Sequence, residues 1–406
     1  MRQLTNRVAY HASQAQRALR TAWGKLKPRL PGLSTLWPWA LRVLLLAAAL
    51  GALLPRPVYV VPDPPQTVQT EHPIVCVHTR LTDEVQEWVI QRSLRLVREM
   101  GATTIVEFFP WPYYEPVKGQ FDWDRSDLII GHARTQGLTV IARLGMAPEW
   151  ARPDPDEIGR ETTLNELVPE HFQDFADFVG AFAGRYRGQV DTLIIWNEPN
   201  LALEWGYRPV VPEEYAELVR LSAIAAREAN PDVVILAGAL APTLEPEGSP
   251  FGMNEVDFLE RFYATGVSPY FDAMAVHTYG LKFPPEEEPA PDVLNFRRAE
   301  IIRDIMVEQG DGGKPVYVTE SGWNDHPRWT RAVRPGQRIA YTLDAYRYAE
   351  EEWPWVERLC LWAFRFPAPY QGYPDYFSLV TPDFQLKPIY EELQAWARGW
   401  PPPNGP

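Results

Sequence analysis

Short apolar segments alternate with longer amphipathic segments along the chain from His72 to Arg398. The short segments, such as Ile74–His78 and Thr192–Trp196, are apolar on both faces, which is typical of parallel strands covered by helices. The longer segments carry apolar residues at helical spacing, and several of them end at a glycine. Eight such strand–helix units follow one another, and this number favours a (β/α)8 TIM barrel of the α/β class over an open doubly wound sheet.

Composition and loop sequences exclude several other classes of protein. The chain is 46% hydrophobic and contains only two cysteines, which excludes a disordered chain and a small disulfide-built module. No glycine-rich phosphate loop follows any of the strand segments, which disfavours nucleotide binding.

The beginning of the chain differs from the rest in charge and hydropathy. Residues 1–42 contain eight of the 39 basic residues and none of the 53 acidic ones, and Val43–Leu54 is uncharged and apolar. We interpret residues 36–54 as a transmembrane signal-anchor, or alternatively as a cleaved signal peptide. Because positive flanks stay in the cytoplasm, residues 1–35 are predicted to be a basic cytoplasmic tail.

The remaining boundaries follow from proline content and from the strand–helix pattern. Residues 55–71 are predicted to be a proline-rich linker, residues 72–400 the barrel, and residues 401–406 a C-terminal tail. We expect the barrel outside the cell membrane, or secreted if the apolar segment is cleaved. The acidic body disfavours nucleic acid as a partner. The membrane is an expected partner through the apolar segment, and we expect the protein to be a monomer.

The two cysteines fall on strands that adjoin where a barrel closes. Cys76 lies in the first strand segment and Cys360 in the eighth. A disulfide between neighbouring parallel strands demands strained geometry, so we expect two buried, reduced thiols.

Two glutamates occupy the carboxyl ends of strand segments four and seven, where TIM barrels carry their reactive groups. Glu198 follows Asn197 in LIIWNEPN, and Glu320 lies in VYVTESGW. A lone glutamate at a strand end is often a salt-bridge partner or helix cap. Two on opposite sides of one barrel mouth fit glycoside cleavage, in which one carboxyl protonates the leaving oxygen and the other attacks the sugar carbon. Asn197 fits an amide that binds a sugar hydroxyl.

These motifs make the sequence recognisable. Ile195–Asn200 (IWNEPN) and Val318–Trp323 (VTESGW), together with Trp111–Trp123, resemble the clan A retaining glycoside hydrolases, cellulase-like TIM barrels near families 5 and 39. The resemblance implies that Glu198 is the acid/base and Glu320 the nucleophile. It also implies that a sugar subsite is lined by the following residues: Asn197, His277, Tyr279 and Trp362.

Other rim residues have two interpretations each. Arg143 stands where family 5 members usually carry a histidine, and it either positions the nucleophile or pairs with a structural acid. Trp111 and Trp323 are expected to contact substrate because flat rings cover sugar faces, although each tryptophan near the rim could also pack in the core. No clustered ligand motif is present, so we expect neither a catalytic metal nor a cofactor.

The function predicted from the sequence is a retaining O-glycoside hydrolase that cleaves β-glycosidic bonds in an oligo- or polysaccharide. A non-catalytic carbohydrate-binding barrel is one alternative, and a transglycosidase that remodels envelope glycans is another. The intact pair of glutamates beside Asn197 favours catalysis over binding alone.

Overall fold

A computed structural model describes residues 20–21, 33–53 and 60–403 of the chain. The chain divides into two compact units, Met1–Tyr59 and Val60–Pro406. Most of the predicted basic tail, the start of the predicted linker and the last three residues lie outside the described residues.

The second unit is a closed barrel of eight parallel strands in sequence order, in which β8 pairs with β1. This confirms the predicted (β/α)8 barrel. The strands are β1 (Val75–His78), β2 (Thr104–Pro110), β3 (Thr139–Gly145), β4 (Thr192–Ile195), β5 (Val234–Leu240), β6 (Ala273–Tyr279), β7 (Val316–Gly322) and β8 (Val356–Leu361).

Helices connect the strands and cover the outside of the barrel. Helix α1 (Leu33–Leu53) belongs to the first unit, and the others belong to the barrel. These are α2 (Glu87–Met100), α3 (Asp124–Thr135), α4 (Phe172–Arg185), α5 (Pro212–Ala229), α6 (Glu255–Ala264), α7 (Ala299–Glu308), α8 (Pro335–Glu352) and α9 (Pro388–Ala397). One-turn helices at Trp111–Tyr114 and Pro155–Ile158 lie in the loops after β2 and β3.

The apolar core has two parts because successive strand residues point to opposite faces of the sheet. Val75 and Val77 of β1 pack outward in the large cluster between strands and helices. Cys76 points inward and packs with Val106, Ile141 and other strand residues in a smaller cluster that fills the barrel. This period of two fixes which side chains reach the mouth of the barrel.

Cys76 and Cys360 form a disulfide, so the prediction of two reduced thiols is wrong. The parallel register pairs the two residues directly, with Cα atoms 4.1 Å apart, and both side chains point into the barrel. The sequence places the cysteines on adjoining strands but does not give the register, and it is the register that brings the two sulfur atoms together.

The predicted signal-anchor coincides largely with helix α1, which contains Pro38 and Arg42. Among the residues that the structure describes, no helix combines the length and apolarity needed to cross a bilayer. The anchor stays a prediction.

The described part of the proline-rich segment contacts the barrel. Gln66 N donates to Thr135 O at 2.7 Å and Glu71 N donates to Ala397 O at 2.8 Å. Asp63 forms an ion pair with Arg95 of α2. Because its contacts reach α2, α3 and α9, the segment adds a covering layer to the helices.

Candidate active site

Three strands bring side chains to the mouth of the barrel through the inward period of two. Each lies two residues after a side chain that fills the barrel: His78 after Cys76 on β1, Arg143 after Ile141 on β3, and His277 after Ala275 on β6. All three are buried. The core pattern of each strand therefore places one polar side chain directly above the apolar interior.

Glu198 lies in the loop that leaves β4, where the backbone is locally strained. Trp196 has a φ of 70° and Glu198 a φ of 43°, a left-handed conformation that non-glycine residues rarely adopt. Glu198 N donates to Ala239 O at 3.0 Å, which fixes this turn against the end of β5. A strained backbone persists only where the surrounding structure holds it in place, and such residues cluster at functional sites.

Glu320, only 7% exposed, is held by hydrogen bonds to both carboxylate oxygens. Arg143 Nη1 donates to Glu320 Oε1 at 3.0 Å, and Tyr279 Oη donates to Glu320 Oε2 at 2.7 Å. Arg143 Nη1 also donates to Asn197 Oδ1 at 2.6 Å. The arginine therefore links the amide next to Glu198 with Glu320, as the first of its two interpretations requires.

The charges around Glu320 keep it ionised. Burial raises the pKa of Glu320, but the cationic His277 and Arg143 and the hydrogen bond from Tyr279 outweigh burial and lower this pKa to about 2. Burial lowers the pKa of His277, but the charges of Glu320 and Glu198 outweigh it and raise this pKa above its ordinary value. An ionised carboxylate thus lies beside an imidazole that favours its protonated form.

Glu198 and Glu320 face one another across the mouth. One ligand oxygen of each carboxylate and a ring nitrogen of His277 all lie within 4.8 Å of one another. His277 Nδ1 lies 2.8 Å from Glu198 Oε1, and the protonated ring donates there. This bond fixes one oxygen of Glu198.

The same group of Glu198, His277 and Glu320 has the donor atoms of a cation site. Its surroundings do not suit a cation, because Arg143 Nη1 lies 3.0 Å from Glu320 and the raised pKa of His277 favours a proton on that ring. The cationic groups beside the two carboxylates therefore take the place that a metal ion would have.

His78 belongs to the site although the sequence analysis did not single it out. His78 Nδ1 donates to Thr79 O at 2.9 Å, and burial lowers the pKa of the imidazole to about 3, so the ring is neutral. Its Nε2 lies 3.7 Å from Glu320 Oε1 and has no hydrogen-bond partner among the described residues. That nitrogen is buried and lies on the side of the ring that faces Glu320. The position of His78 at the carboxyl end of the first strand segment is the sequence feature that could have identified it.

The structure does not bring Trp111 to this group. Its indole is completely buried and packs edge-on against Trp150 and Phe175, and its Nε1 donates to Glu115 at 2.6 Å. Packing between the β2 loop and α4 leaves no ring face free for a substrate. The core interpretation fits Trp111, and it also fits the buried Trp205.

Trp323 and Trp362 lie next to the site in different ways. Trp323 is buried behind the β6 loop, where its Nε1 donates to Phe283 O at 2.8 Å. Trp362 is partly exposed and packs edge-on against Phe377, which Tyr279 also contacts edge-on. Trp362 can therefore present a ring to substrate, whereas Trp323 supports the loop after Tyr279.

Several solved structures have a similar fold. A family 39 glycoside hydrolase from Bacteroides cellulosilyticus aligns with a TM-score of 0.64 and 20% identity over 82% of this chain and 65% of its own. A monomeric β-xylosidase from Caulobacter crescentus aligns with a TM-score of 0.57 and 20% identity, over 80% of this chain and 69% of its own. A glucosidase from Croceicoccus marinus aligns with a TM-score of 0.57 and 14% identity, over 82% and 69%.

No protein-family model matches the sequence, and no curated protein is significantly similar to it. The chain spans somewhat less than two thirds of the first of these structures, 65% of its length. The chain nevertheless has the eight-stranded barrel fold of the family 39 glycoside hydrolases, which confirms at the level of fold the resemblance to clan A.

Proposed function

We propose that this protein is a retaining glycoside hydrolase that cleaves β-glycosidic bonds in an oligo- or polysaccharide. The observation that carries the proposal is the separation of Glu198 and Glu320, whose nearest carboxylate oxygens lie within 4.8 Å. Retaining glycosidases hold their carboxyl groups about 5–5.5 Å apart, whereas inverting ones leave about 6.5–9.5 Å for a water molecule. The short separation supports the retaining mechanism.

In the first step, Glu320 attacks the anomeric carbon while Glu198 donates its proton to the glycosidic oxygen. The bond from carbon to the leaving oxygen breaks, the alcohol departs, and a covalent sugar ester forms on Glu320. Arg143 and Tyr279 support this step because they hold the attacking carboxylate in place and keep it ionised.

In the second step, the ionised Glu198 takes a proton from water, whose oxygen attacks the same carbon. The ester bond breaks and Glu320 leaves as a carboxylate with its charge restored. His277 holds Glu198 in place through its 2.8 Å hydrogen bond during both steps. Two successive displacements return the configuration of the substrate.

The solved structures support the substrate class. Two of the similar proteins are named as a β-xylosidase and a glucosidase, which act on glycosides. The partly exposed Trp362 suits the C–H face of a sugar ring.

The stereochemistry of the first product tests the mechanism. The protein would be incubated with aryl β-glycosides and polysaccharides. Proton NMR would then record which anomer is released first. We expect the β-anomer, and an α-anomer would overturn the role of Glu320 as nucleophile. The exposed variant Glu149→Gln is the matched control and should behave like the unaltered protein. Binding of glycans without any hydrolysis would favour the non-catalytic alternative.

We also propose that the barrel lies outside the cell membrane. The predicted basic tail (residues 1–35) and the apolar segment after it support this orientation. The Cys76–Cys360 disulfide also supports it, because disulfides persist in oxidising compartments. Protease added to intact cells should degrade the barrel. A barrel that is protected in intact cells and degraded only after lysis would contradict the proposed location.

A further inference from the structure

A cavity of about 160 Å³ adjoins the carboxylate pair at the ends of β1 to β4. Arg143 and Asn197, which are hydrogen-bonded to each other, form part of its wall. Arg143 also donates a hydrogen bond to Glu320, so one residue of the cavity wall contacts that carboxylate. A space of this size next to the reacting carboxylate can receive a sugar ring.

Glu204 supplies a third carboxyl group to this wall. It lies in the loop after β4, and Asn165 Nδ2 donates to its Oε2 at 3.3 Å, with the Asn197 side chain beside it. Burial and the charge of Glu198 raise the pKa of Glu204 to about 7. Near neutral pH the carboxyl is therefore present in both forms, of which one accepts and the other also donates hydrogen bonds.

The buried Glu107 and Glu166 are each engaged on both carboxylate oxygens by internal partners. Glu107 accepts hydrogen bonds from Thr79 Oγ1 at 2.5 Å, from Thr82 N at 2.8 Å and from Leu81 N at 3.0 Å. Glu166 is engaged on both oxygens by Arg160. An ionised carboxylate can accept about four hydrogen bonds. Glu204 has hydrogen-bonding capacity left, and this capacity faces the cavity.

Two cationic side chains also line the cavity. Arg143 stacks on Phe108 with 4.6 Å between the guanidinium carbon and the ring centroid, and Arg80 also lines the space. An anionic ligand would meet the carboxylate form of Glu204, and a cationic ligand would meet Arg143 and Arg80. A neutral ring with several hydroxyl groups can donate to Glu204 and accept from the arginines, so a neutral sugar fits the cavity best.

We propose that Glu204 selects the sugar ring that Glu320 attacks, by forming a hydrogen bond to one hydroxyl group of that ring. This inference rests on the proposed glycosidase function and extends it, because it names a residue that determines specificity and the neutral sugar class that the residue recognises. Truncation of Glu204 removes one contact with the substrate and leaves Glu198, Glu320 and their supports in place.

Monodeoxy substrates test the contact directly. KM and kcat would be measured for the best aryl β-glycoside and for its deoxy analogues with the unaltered enzyme, Glu204→Ala, Glu204→Gln and the control Glu149→Ala. We expect Glu204→Ala to raise KM for the parent glycoside about ten-fold, the size of one lost hydrogen bond. For one deoxy analogue, the unaltered enzyme and Glu204→Ala should have equal KM.

Equal sensitivity of every analogue to Glu204→Ala, or no effect on any, would overturn the inference. Glu204→Gln keeps the shape and hydrogen-bonding ability of the side chain, so it should retain most of the affinity. An unaltered thermal unfolding midpoint of Glu204→Ala shows that its loss of affinity is not caused by misfolding.

Direct binding separates this inference from the proposed function. If no glycoside is hydrolysed, the proposed function fails, and calorimetry with free neutral monosaccharides tests Glu204 alone. Weaker binding in Glu204→Ala than in the unaltered protein supports the inference, and equal binding, or no binding to either, overturns it.

Discussion

Tyr279 Oη donates a hydrogen bond to Glu320 Oε2 at 2.7 Å, from the strand next to the one that carries the glutamate. Partial burial and the charges of Glu320 and Glu198 raise the pKa of the phenol well above the ordinary value, so it stays protonated and remains a donor at every working pH. The bond favours the ionised form of Glu320 and contributes to its lowered pKa.

Tyr279→Phe should therefore move the acid limb of activity to higher pH. The cationic groups around Glu320 lower its pKa to about 2, so this carboxylate is ionised across the usual assay range. Loss of the hydrogen bond raises this pKa, so the protonated and inactive fraction of Glu320 becomes larger at the acid end of the profile. The measurement is kcat/KM against pH with a good leaving group. The exposed Tyr207→Phe is the control, and superimposable profiles for all three proteins would refute the role of Tyr279.

Glu198→Ala and Glu320→Ala should fail in different ways. Without Glu320 no sugar ester forms, so turnover of every substrate should be lost. Without Glu198, a poor leaving group should depart about 10²–10⁴-fold more slowly, the size of general acid catalysis. A dinitrophenyl glycoside needs little protonation, so it should give a burst of phenol followed by a slow phase. Stopped-flow absorbance distinguishes these outcomes, and a burst from Glu320→Ala in place of Glu198→Ala would reverse the assigned roles.

Removal of the disulfide should destabilise the barrel. The bond closes a loop with a sequence separation of 284 residues, and removing such a cross-link gives the unfolded chain more conformational freedom. We expect the double variant Cys76→Ala/Cys360→Ala to lose about 2–4 kcal/mol of unfolding free energy, measured by urea denaturation. Intact mass should rise by two hydrogens on reduction of the unaltered protein. An unchanged mass would show that the sulfur atoms are not bonded in solution.

Gly280→Ala should disturb the rim through Trp323. A Cβ atom at Gly280 would lie 1.8 Å from Trp323 Cε2, which is far inside contact distance. The indole or the β6 loop must move, and overpacking of this kind costs about 1–3 kcal/mol. Thermal unfolding should show the loss. At Gly313 an added Cβ meets nothing within 4 Å, so Gly313→Ala should be close to neutral. A similar effect of both substitutions would contradict the packing role of Trp323.

The strands could be predicted closely because each is a buried apolar run between clear breakers. The predicted strand Thr192–Trp196 is observed as Thr192–Ile195, and the predicted strand Ile74–His78 is observed as Val75–His78. A strand buried on both faces does not alternate in polarity, however, so the pattern does not show which residues face inward. That choice decides that Cys76 meets Cys360 and that His78 reaches the site.

The site residues that stand in motifs could be predicted from the sequence. The residues whose positions depend on the course of the loops could not. Glu198 and Glu320 stand in recognisable motifs at strand ends, and the structure brings them within contact of the same histidine. Glu204 has no such mark, because only the course of the β4 loop places it in the cavity. Trp111 and Trp362 both lie near strand ends, and tertiary packing alone buries the first and leaves the second partly exposed.

The disulfide that joins β1 to β8 also determines how the barrel responds to mechanical force. Tension that enters the barrel from the chain before Cys76 and leaves through the chain after Cys360 passes across the sulfur–sulfur bond. The segment between the two cysteines, which carries β2 to β7 and both glutamates, is then bypassed by the load. Stretching the oxidised protein should extend only the flanking segments, whereas the reduced protein should unravel along its whole length.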